Sequence, residues 1–556
     1  MSTFTPKLFT ILKNGYSKDD FRNDVISGLT VAIVALPLSM ALAIASGASP
    51  DKGLITAVIA GFLISFLGGS RVQVGGPTGA FVVVVFNVIA QHGYDGLILA
   101  TLIAGAILII VGYSKLGQII KFIPHPVITG FTAGIAVIIA SSQVQDFLGL
   151  KIAKVPADFI PKWIAYFNSI GTYSIATLII GALSLFIILS LKRYAPKLPG
   201  YLIAVIVVSL IVVIFKLPVE TIGSKFPNMP TEFPMPHLPT WNIEKVINII
   251  PSAFTIAFLA GIEALLSAVV ADGMTGYKHR SNQELVGLGF ANIGSSLFGG
   301  LPATGAIART ATNIKSGAKS PVAGMSHAIF LLIFMLFAMK LIAFIPLATL
   351  AAILFIVAWN MSEIHNFIHI FKLSRTDRSI MLLTFVLTIL VNLSVAIGVG
   401  ITLACLIFMK RMSDAVEVKS EWRKSDKLYD EDSEYEAQRK ELPDNIEVFQ
   451  ITGPLFFGVA NNFVEALKSM GQMPKVFILR MRLVPYLDAS GEKALETVIK
   501  QCRNNGTHVI LSGLQKQPLR MLKNAHIDDG KNNVWFAPHY EEAIKKAKEL
   551  INVQNI

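Results

Sequence analysis

The tripeptide Thr-Gly-Ala occurs twice in this sequence, at 78–80 and at 304–306, each time close after a proline and a Gly-Gly pair. Glycine and proline interrupt helices, so the backbone around each copy is expected to lack helical hydrogen bonds. Inside a membrane, such backbone must line a cavity or be buried in protein. A helix that starts there presents free N–H groups and a positive dipole end. Two such ends that face each other favour a negatively charged ligand. The repeated tripeptide therefore predicts an anion-binding site.

The residue types within each copy suit this chemistry. Thr78 and Thr304 suit the helix N-cap, where a hydroxyl accepts a hydrogen bond from a backbone N–H. Gly79 and Gly305 allow a ligand to approach the backbone closely. Glycine and proline also permit tight helix packing in membranes. Because both the tripeptide and its position repeat, we favour the binding site over simple packing.

Two charged residues lie in apolar surroundings near these motifs. Glu263 is the sole ionisable residue between Pro251 and Ala271, and carboxylates inside a membrane usually face a cavity, an ion path or a partner. It is predicted to carry a coupled proton or to coordinate Na⁺, with a structural ion pair or a helix–helix hydrogen bond as the alternative. Arg309 either adds positive potential to the anion site or neutralises Glu263, and the two roles are compatible.

The elements that must position these residues are membrane spans. The chain has 556 residues, of which 53% are hydrophobic and only 15% charged, a balance typical of polytopic membrane proteins and not of soluble domains. No enzymatic activity, cofactor or metal site is expected. We predict fourteen segments: 23–42, 53–67, 78–91, 96–113, 123–145, 172–191, 200–216, 251–271, 283–298, 304–314, 322–340, 343–360, 379–393 and 395–411.

The spacing of the motifs predicts an inverted repeat. Thr78 lies 41 residues after Pro37 in the first segment, and Thr304 lies 41 residues after Glu263 in the eighth. Seven spans are an odd number, so two successive units of seven must have opposite orientations. Repeat one covers about 23–216 and repeat two about 251–412. The third segment of the chain, in repeat one, and the tenth, in repeat two, are short half-helices. In transporters such half-helices mark the central site.

The charges predict the orientation. Residues 1–412 contain 28 Lys and Arg against 15 Asp and Glu. If the N-terminal segment 1–22 is cytoplasmic, 19 of these 28 basic residues, including the four within that segment, lie on the cytoplasmic side. The basic excess is therefore an orientation signal and not a nucleic-acid site. It predicts that both termini face the cytoplasm.

The composition changes after Met412. Residues 413–442 read as a charged linker, helical or disordered, and 443–556 as a small α/β domain with strands at IEVFQI, LFFGV, KVFILRM and HVILSG. In that domain Ser490 follows a strand and opens a helix. It is predicted to be a phosphorylation or docking point, although an ordinary N-cap explains it as well.

Three stretches together resemble the SulP family of anion transporters with a C-terminal STAS domain: LPLSMALAIASG, GGSRVQVGGPTGAF and VADGMTGYKHRSNQELVGLGFANIGSSLFGGLPATGAIARTATNIKSGAKSP. The resemblance covers nearly the whole chain. It implies a seven-plus-seven inverted repeat, a homodimer, and an elevator-like movement of a core domain past a gate domain. It places the substrate at Gly79, Ala80, Phe81, Thr304, Gly305 and Ala306 and the coupling ion at Glu263, and it matches Arg309 to a basic residue of the family. With Thr78 and Arg309 these are the predicted substrate-binding residues.

The substrate expected from the resemblance is a small anion. Pro37 is followed by Leu38, with Leu42 further on, where animal and plant members carry Pro-Gln and an aromatic residue. This difference favours the bacterial dicarboxylate and bicarbonate branches. We expect H⁺-coupled uptake of C4-dicarboxylates across the bacterial inner membrane, with lipid and a cytoplasmic protein as further partners. Alternatives are Na⁺-coupled bicarbonate or sulfate transport, a nucleobase symporter, a channel, or a membrane-anchored STAS signalling platform.

Overall fold

The computed structural model describes most of the chain, in the ranges 4–117, 124–152, 155–156, 158–196, 198–227, 233–391, 393–420, 445–459 and 474–553. The chain forms two units, Met1–Thr402 and Leu403–Ile556.

Helices make up nearly all of the first unit, and the last of them continues into the second. Their bounds are α1 Lys7–Lys13, α2 Lys18–Ala45, α3 Pro50–Leu67, α4 Phe81–Tyr113, α5 His125–Leu148, α6 Phe159–Asn168, α7 Ile175–Tyr194, α8 Gly200–Ile214, α9 Ile222–Lys225, α10 Ile243–Thr275, α11 Ser281–Leu297, α12 Ile307–Lys315, α13 Val322–Ile342, α14 Leu347–Met361, α15 Ile364–Lys372, α16 Arg375–Leu390 and α17 Leu393–Asp414. In the described part, eight helical stretches are long and apolar enough to cross a membrane. The predicted helical membrane domain is confirmed.

Both predicted half-helices are present. α4 bends at Gly93, whose φ of 71° and ψ of 176° interrupt the helix and favour glycine. The bend separates 81–92 from 94–113, which correspond to the third and fourth predicted segments. At 1.5 Å per residue, 81–92 spans only about 18 Å, too short for a hydrocarbon core of about 30 Å. α12 has nine residues and is shorter still.

The helix packing shows the inverted repeat. α4 packs on α10 and α11, and in the other half α13 packs on α2 and α3. In the same way, the contact between α5 and α16 corresponds to the contact between α14 and α7. Each contact therefore has a counterpart when the helices of one half are exchanged for those of the other. This is the pattern of a pseudo-two-fold axis between two units of seven.

Two groups of helices can be distinguished by these contacts. The core helices, α2, α3, α4 and α10 to α13, pack mainly on one another, as do the gate helices, α5, α7, α8, α14 and α16. The groups meet where α14 and α8 contact α2 and where α5 contacts α4.

Some helices differ from the sequence prediction. α6 and α15 were not predicted, because they are short and amphipathic and do not read as spans. α10 begins at Ile243, eight residues before the predicted start, and continues through Pro251. Its N-cap is Asn242, whose side chain accepts a hydrogen bond from the Lys245 N–H. Proline inside a membrane helix is tolerated when neighbouring groups satisfy the backbone carbonyl that it leaves unpaired, which here is that of Ile247, four residues earlier.

The second unit contains the predicted α/β domain. Its five-stranded sheet has the order β3-β4-β5-β6-β7, with β4 to β7 parallel and β3 antiparallel at the edge. Two apolar clusters cover opposite sheet faces, one including Leu495 and the other Ala547. The bounds are β3 Glu417–Ser420, β4 Ile446–Thr452, β5 Val476–Leu483, β6 His508–Ser512, β7 Val534–Ala537, α18 Ala489–Asn504, α19 Lys516–Asn524 and α20 Tyr540–Val553.

The local prediction was wrong at two places in this unit. The start of the predicted linker forms β3. This strand was not predicted, because four residues are too few to show a clear alternation of polar and apolar side chains. LFFGV is not a strand, because Leu455 makes a single bridge with Leu487 and 457–459 is helical. The rest of the linker, 421–442, and the helix expected at FVEALKSM lie outside the described residues.

Candidate functional site

The two half-helices start from a short pair of strands. β1, Gly75–Gly76, pairs antiparallel with β2, Thr304–Gly305, so that Gly76 lies opposite Thr304. α12 begins two residues after β2, and α4 begins five residues after β1. Nearly all residues of the two loops are buried. The sequence repeat therefore brings both helix starts to one place.

The predicted N-cap role of the threonines was wrong. The N-cap residues are Ala80 and Ala306, and neither provides a side-chain cap. The Thr78 hydroxyl instead donates to the Glu263 carboxylate at 2.7 Å, and the Thr304 hydroxyl donates to the Ala260 carbonyl at 2.7 Å. Each helix starts two or more residues after its threonine, so the hydroxyl does not reach the first N–H groups of that helix. The hydroxyls instead reach acceptors on α10.

Alanine caps leave donors free at both helix starts. Among the described residues, no acceptor contacts the N–H groups of Ala80, Ile307 or Ala308. Ile307 is 40% exposed. The Ala306 N–H is used in the fold, because it donates to the Val74 carbonyl at 2.9 Å. On α12, the first backbone N–H that is available to an anion is therefore that of Ile307. The sequence prediction did not include this residue.

Arg309 lies behind the site. It is only 2% exposed, and its Nη2 donates to the Ser39 hydroxyl and the Pro77 carbonyl, both at 3.1 Å. Among the described residues its Nε and Nη1 have no hydrogen-bond partner, and it forms no ion pair with Glu263. Of its two predicted roles, this position favours a fixed positive charge next to β1 over direct neutralisation of Glu263.

Buried polar side chains hold the two loops, and the sequence analysis did not identify them. Glu284 accepts hydrogen bonds from the Gly69 N–H at 2.6 Å, the Ser70 N–H at 2.7 Å and the Gln73 amide at 2.9 Å. Asn292 exchanges two hydrogen bonds of 2.9 Å with the Ala303 backbone. These contacts satisfy extended backbone that a membrane cannot solvate. The sequence signal that could have identified Glu284 and Asn292 is their polarity within the otherwise apolar segment 283–298.

We expect Glu284→Gln to destabilise the membrane domain. Each hydrogen bond to a buried charged group contributes about 1.5–3 kcal/mol, and a neutral glutamine would weaken those from the Gly69 and Ser70 N–H groups because it removes the charge. The thermal midpoint in detergent, measured at one scan rate, should fall by several degrees. The exposed Glu220→Gln is the matched control, and an equal midpoint in the two variants would contradict the supporting role.

The start of α4 also touches the gate helices. A Cβ on Gly79 would lie 2.7 Å from Sδ of Met361 on α14 and 3.0 Å from Cδ1 of Ile139 on α5. Gly79 is therefore a point at which the site lies close against the gate helices, and glycine is the residue that fits there.

Ser490 lies in the other unit and is exposed in the first turn of α18. It is not the N-cap, because Asp488 has that position and accepts from the Gly491 N–H at 2.8 Å and the Phe457 N–H at 3.1 Å. The N-cap explanation is thus wrong, and phosphorylation of Ser490 stays a prediction.

Comparison with known proteins identifies the relatives of this chain. The sulfate permease family model matches residues 21–384 and the STAS domain model matches 437–543. The chain is 40% identical to a putative sulfate transporter, YvdB, of Bacillus subtilis, over 95% of this chain and 98% of that one. It is 32% identical to the bicarbonate transporter BicA of Synechocystis, over 92% of each chain.

Solved structures show the same fold. The murine anion transporter Slc26a9, in an inward-facing state, superimposes with a TM-score of 0.86 at 19% identity, covering 98% of this chain and 94% of that one. The transmembrane domain of a cyanobacterial BicA superimposes with a TM-score of 0.61 at 31% identity, covering 70% and 98%. The chain therefore belongs to the sulfate permease (SulP) family of anion transporters and carries a C-terminal STAS domain.

Proposed function

We propose that the chain is a secondary active transporter that binds a small oxyanion between the starts of α4 and α12 and couples its movement to a cation through Glu263. The observation that carries this proposal is the 2.7 Å hydrogen bond from Thr78 to Glu263. It joins a half-buried carboxylate on α10 to the loop that ends at the start of α4.

The charges explain why the two ions would bind together. Two unit negative charges about 6 Å apart repel by roughly 3 kcal/mol at an effective dielectric constant of about 20. A proton or Na⁺ on Glu263 removes this repulsion, so anion and cation favour each other's binding. Arg309 and the helix dipoles then supply the remaining positive potential.

Three substrates fit this scheme. Bicarbonate with Na⁺ is supported by the 32% identity to a protein named as a bicarbonate transporter and by the close approach of Met361 and Ile139 to Gly79, which favours a small anion. A C4-dicarboxylate with H⁺ rests on the sequence motifs alone. Sulfate is a third oxyanion that the same donors accept, and YvdB is named for it.

The remaining expectations form part of the same proposal. The chain would lie in the bacterial inner membrane as a homodimer with both termini in the cytoplasm. The STAS domain would bind a cytoplasmic protein, and the exposed Ser490 would be its phosphorylation point.

Uptake into proteoliposomes tests the proposal. Labelled bicarbonate, succinate, aspartate, sulfate and uracil are offered with an imposed Na⁺ or pH gradient. Saturable uptake of one anion, driven by one of the two gradients, supports coupled transport and identifies both ions. Flux that rises linearly without saturation would indicate a channel, and uptake of uracil alone would contradict the anion site.

A further inference from the structure

A cavity of about 530 Å³ lies in the first unit between α8, a gate helix, and α2 and α13, two core helices. Its walls include Ile33 and Leu36 on α2, Val205 on α8 and Phe334 on α13. All described lining side chains are apolar except that of Ser209. The cavity is distinct from the predicted anion site, since the two share no residue.

The mouth of the cavity faces the membrane. Leu210, Leu341 and Phe344 line it and are 54%, 70% and 51% exposed. Exposed leucine and phenylalanine in and beside the apolar helices of a membrane domain contact lipid tails, which are as apolar as these side chains. A water-soluble ligand would have to cross hydrocarbon to enter. The occupant that can reach this cavity directly is therefore a membrane lipid.

Ser209 adds a polar requirement at a defined depth. Its Oγ is buried and has no hydrogen-bond partner among the described residues, and a buried hydroxyl without a partner is unfavourable. Ser209 lies five residues before the end of α8 at Ile214, or about 7 Å along the helix axis. The headgroup region is about 5–7 Å thick on each side of the bilayer, so an α8 end at its outer edge places Ser209 near the ester carbonyls of a phospholipid.

We propose that this cavity is a phospholipid site. An acyl chain from the leaflet that contains the C-terminal ends of α8 and α13 occupies it, and the ester carbonyl of that lipid accepts a hydrogen bond from the Ser209 hydroxyl. The volume lies within the range of about 300–1,000 Å³ found for small-molecule pockets. The lipid fills space that would otherwise separate core and gate helices.

Photochemical crosslinking tests the site. The full chain is placed in nanodiscs of phosphatidylcholine that carries a diazirine on one acyl chain, irradiated, and mapped by peptide mass spectrometry. The wild type should be labelled on the α8 and α13 peptides that line the cavity. Ser209→Phe should remove this label by filling the cavity, and Ser209→Ala should reduce it about 2- to 10-fold through loss of one hydrogen bond.

The control is Val207→Phe, on the same helix and 38% exposed but outside the cavity, which should keep the label. If Ser209→Phe does not give a monodisperse protein, Ile33→Phe fills the cavity from the opposite wall. Absence of label on these peptides in the wild type, or equal label in the filled variants and Val207→Phe, would overturn the site. Equal label in Ser209→Ala and the wild type would overturn the hydrogen bond.

Discussion

Glu263→Gln is expected to abolish gradient-driven accumulation of the anion while leaving the fold intact. Glutamine has the same shape, and its carbonyl oxygen still accepts the hydrogen bond from Thr78. What it loses is the charge that binds a proton or Na⁺. A tenfold gradient of a coupled cation stores about 1.4 kcal/mol, enough for about tenfold accumulation of the anion, and the variant should accumulate none above equilibrium.

The measurement is uptake into proteoliposomes with the driving ion present on one side only. Glu244→Gln, an exposed acid on the same helix, is the matched control and should accumulate anion as the wild type does. Undiminished accumulation by Glu263→Gln would show that another group carries the coupling ion. Exchange of labelled for unlabelled anion should persist in the variant, because exchange needs no net cation movement.

Gly76→Ala is expected to give the largest loss of stability. Gly76 has a φ of 149°, a conformation that residues with a Cβ rarely adopt. A Cβ there would also lie 2.3 Å from Nη1 of Arg309. Backbone strain of this kind costs about 1–3 kcal/mol, and displacing a buried guanidinium from Ser39 and Pro77 adds the cost of a buried charge without partners.

We therefore expect little folded Gly76→Ala protein and no transport, as measured by fluorescence-detected size exclusion and by uptake. Gly273→Ala is the matched control, because nothing lies within 4 Å of a Cβ at that helical position. It should be as stable as the wild type or slightly more so. A Gly76→Ala protein that folds and transports normally would contradict the placement of Arg309 against β1.

The half-helices were predictable because their signals are local. A Gly-Gly pair, a proline and a short apolar run stand next to each other in each repeat, and so do the residues at the helix starts. The bend at Gly93 was likewise predicted as a gap between two segments, because His92, Gly93 and the polar residues beside them interrupt the apolar run.

The partners of the site residues were not predictable, because they depend on packing over long sequence separations. Thr78 and Glu263 are 185 residues apart, and Arg309 reaches Ser39 across 270 residues. Sequence reasoning placed Thr78 at an N-cap by its type alone, whereas the fold brings a carboxylate within its reach. Ile307 was missed for a similar reason, since a free backbone N–H leaves no trace in residue type.

The most direct test of the anion site is equilibrium binding of the transported anion to purified Ile307→Pro. Proline removes the N–H of the first residue of α12, a position where it suits a helix, and the extended Ala306, with φ −99° and ψ 110°, tolerates a following proline. Ile307→Ala keeps the N–H and controls for the side chain. One hydrogen bond to a charged ligand contributes about 1.5–3 kcal/mol, so Ile307→Pro should bind about 10- to 150-fold more weakly and Ile307→Ala close to the wild type. Equal affinity of the two variants would contradict an anion held by the start of α12.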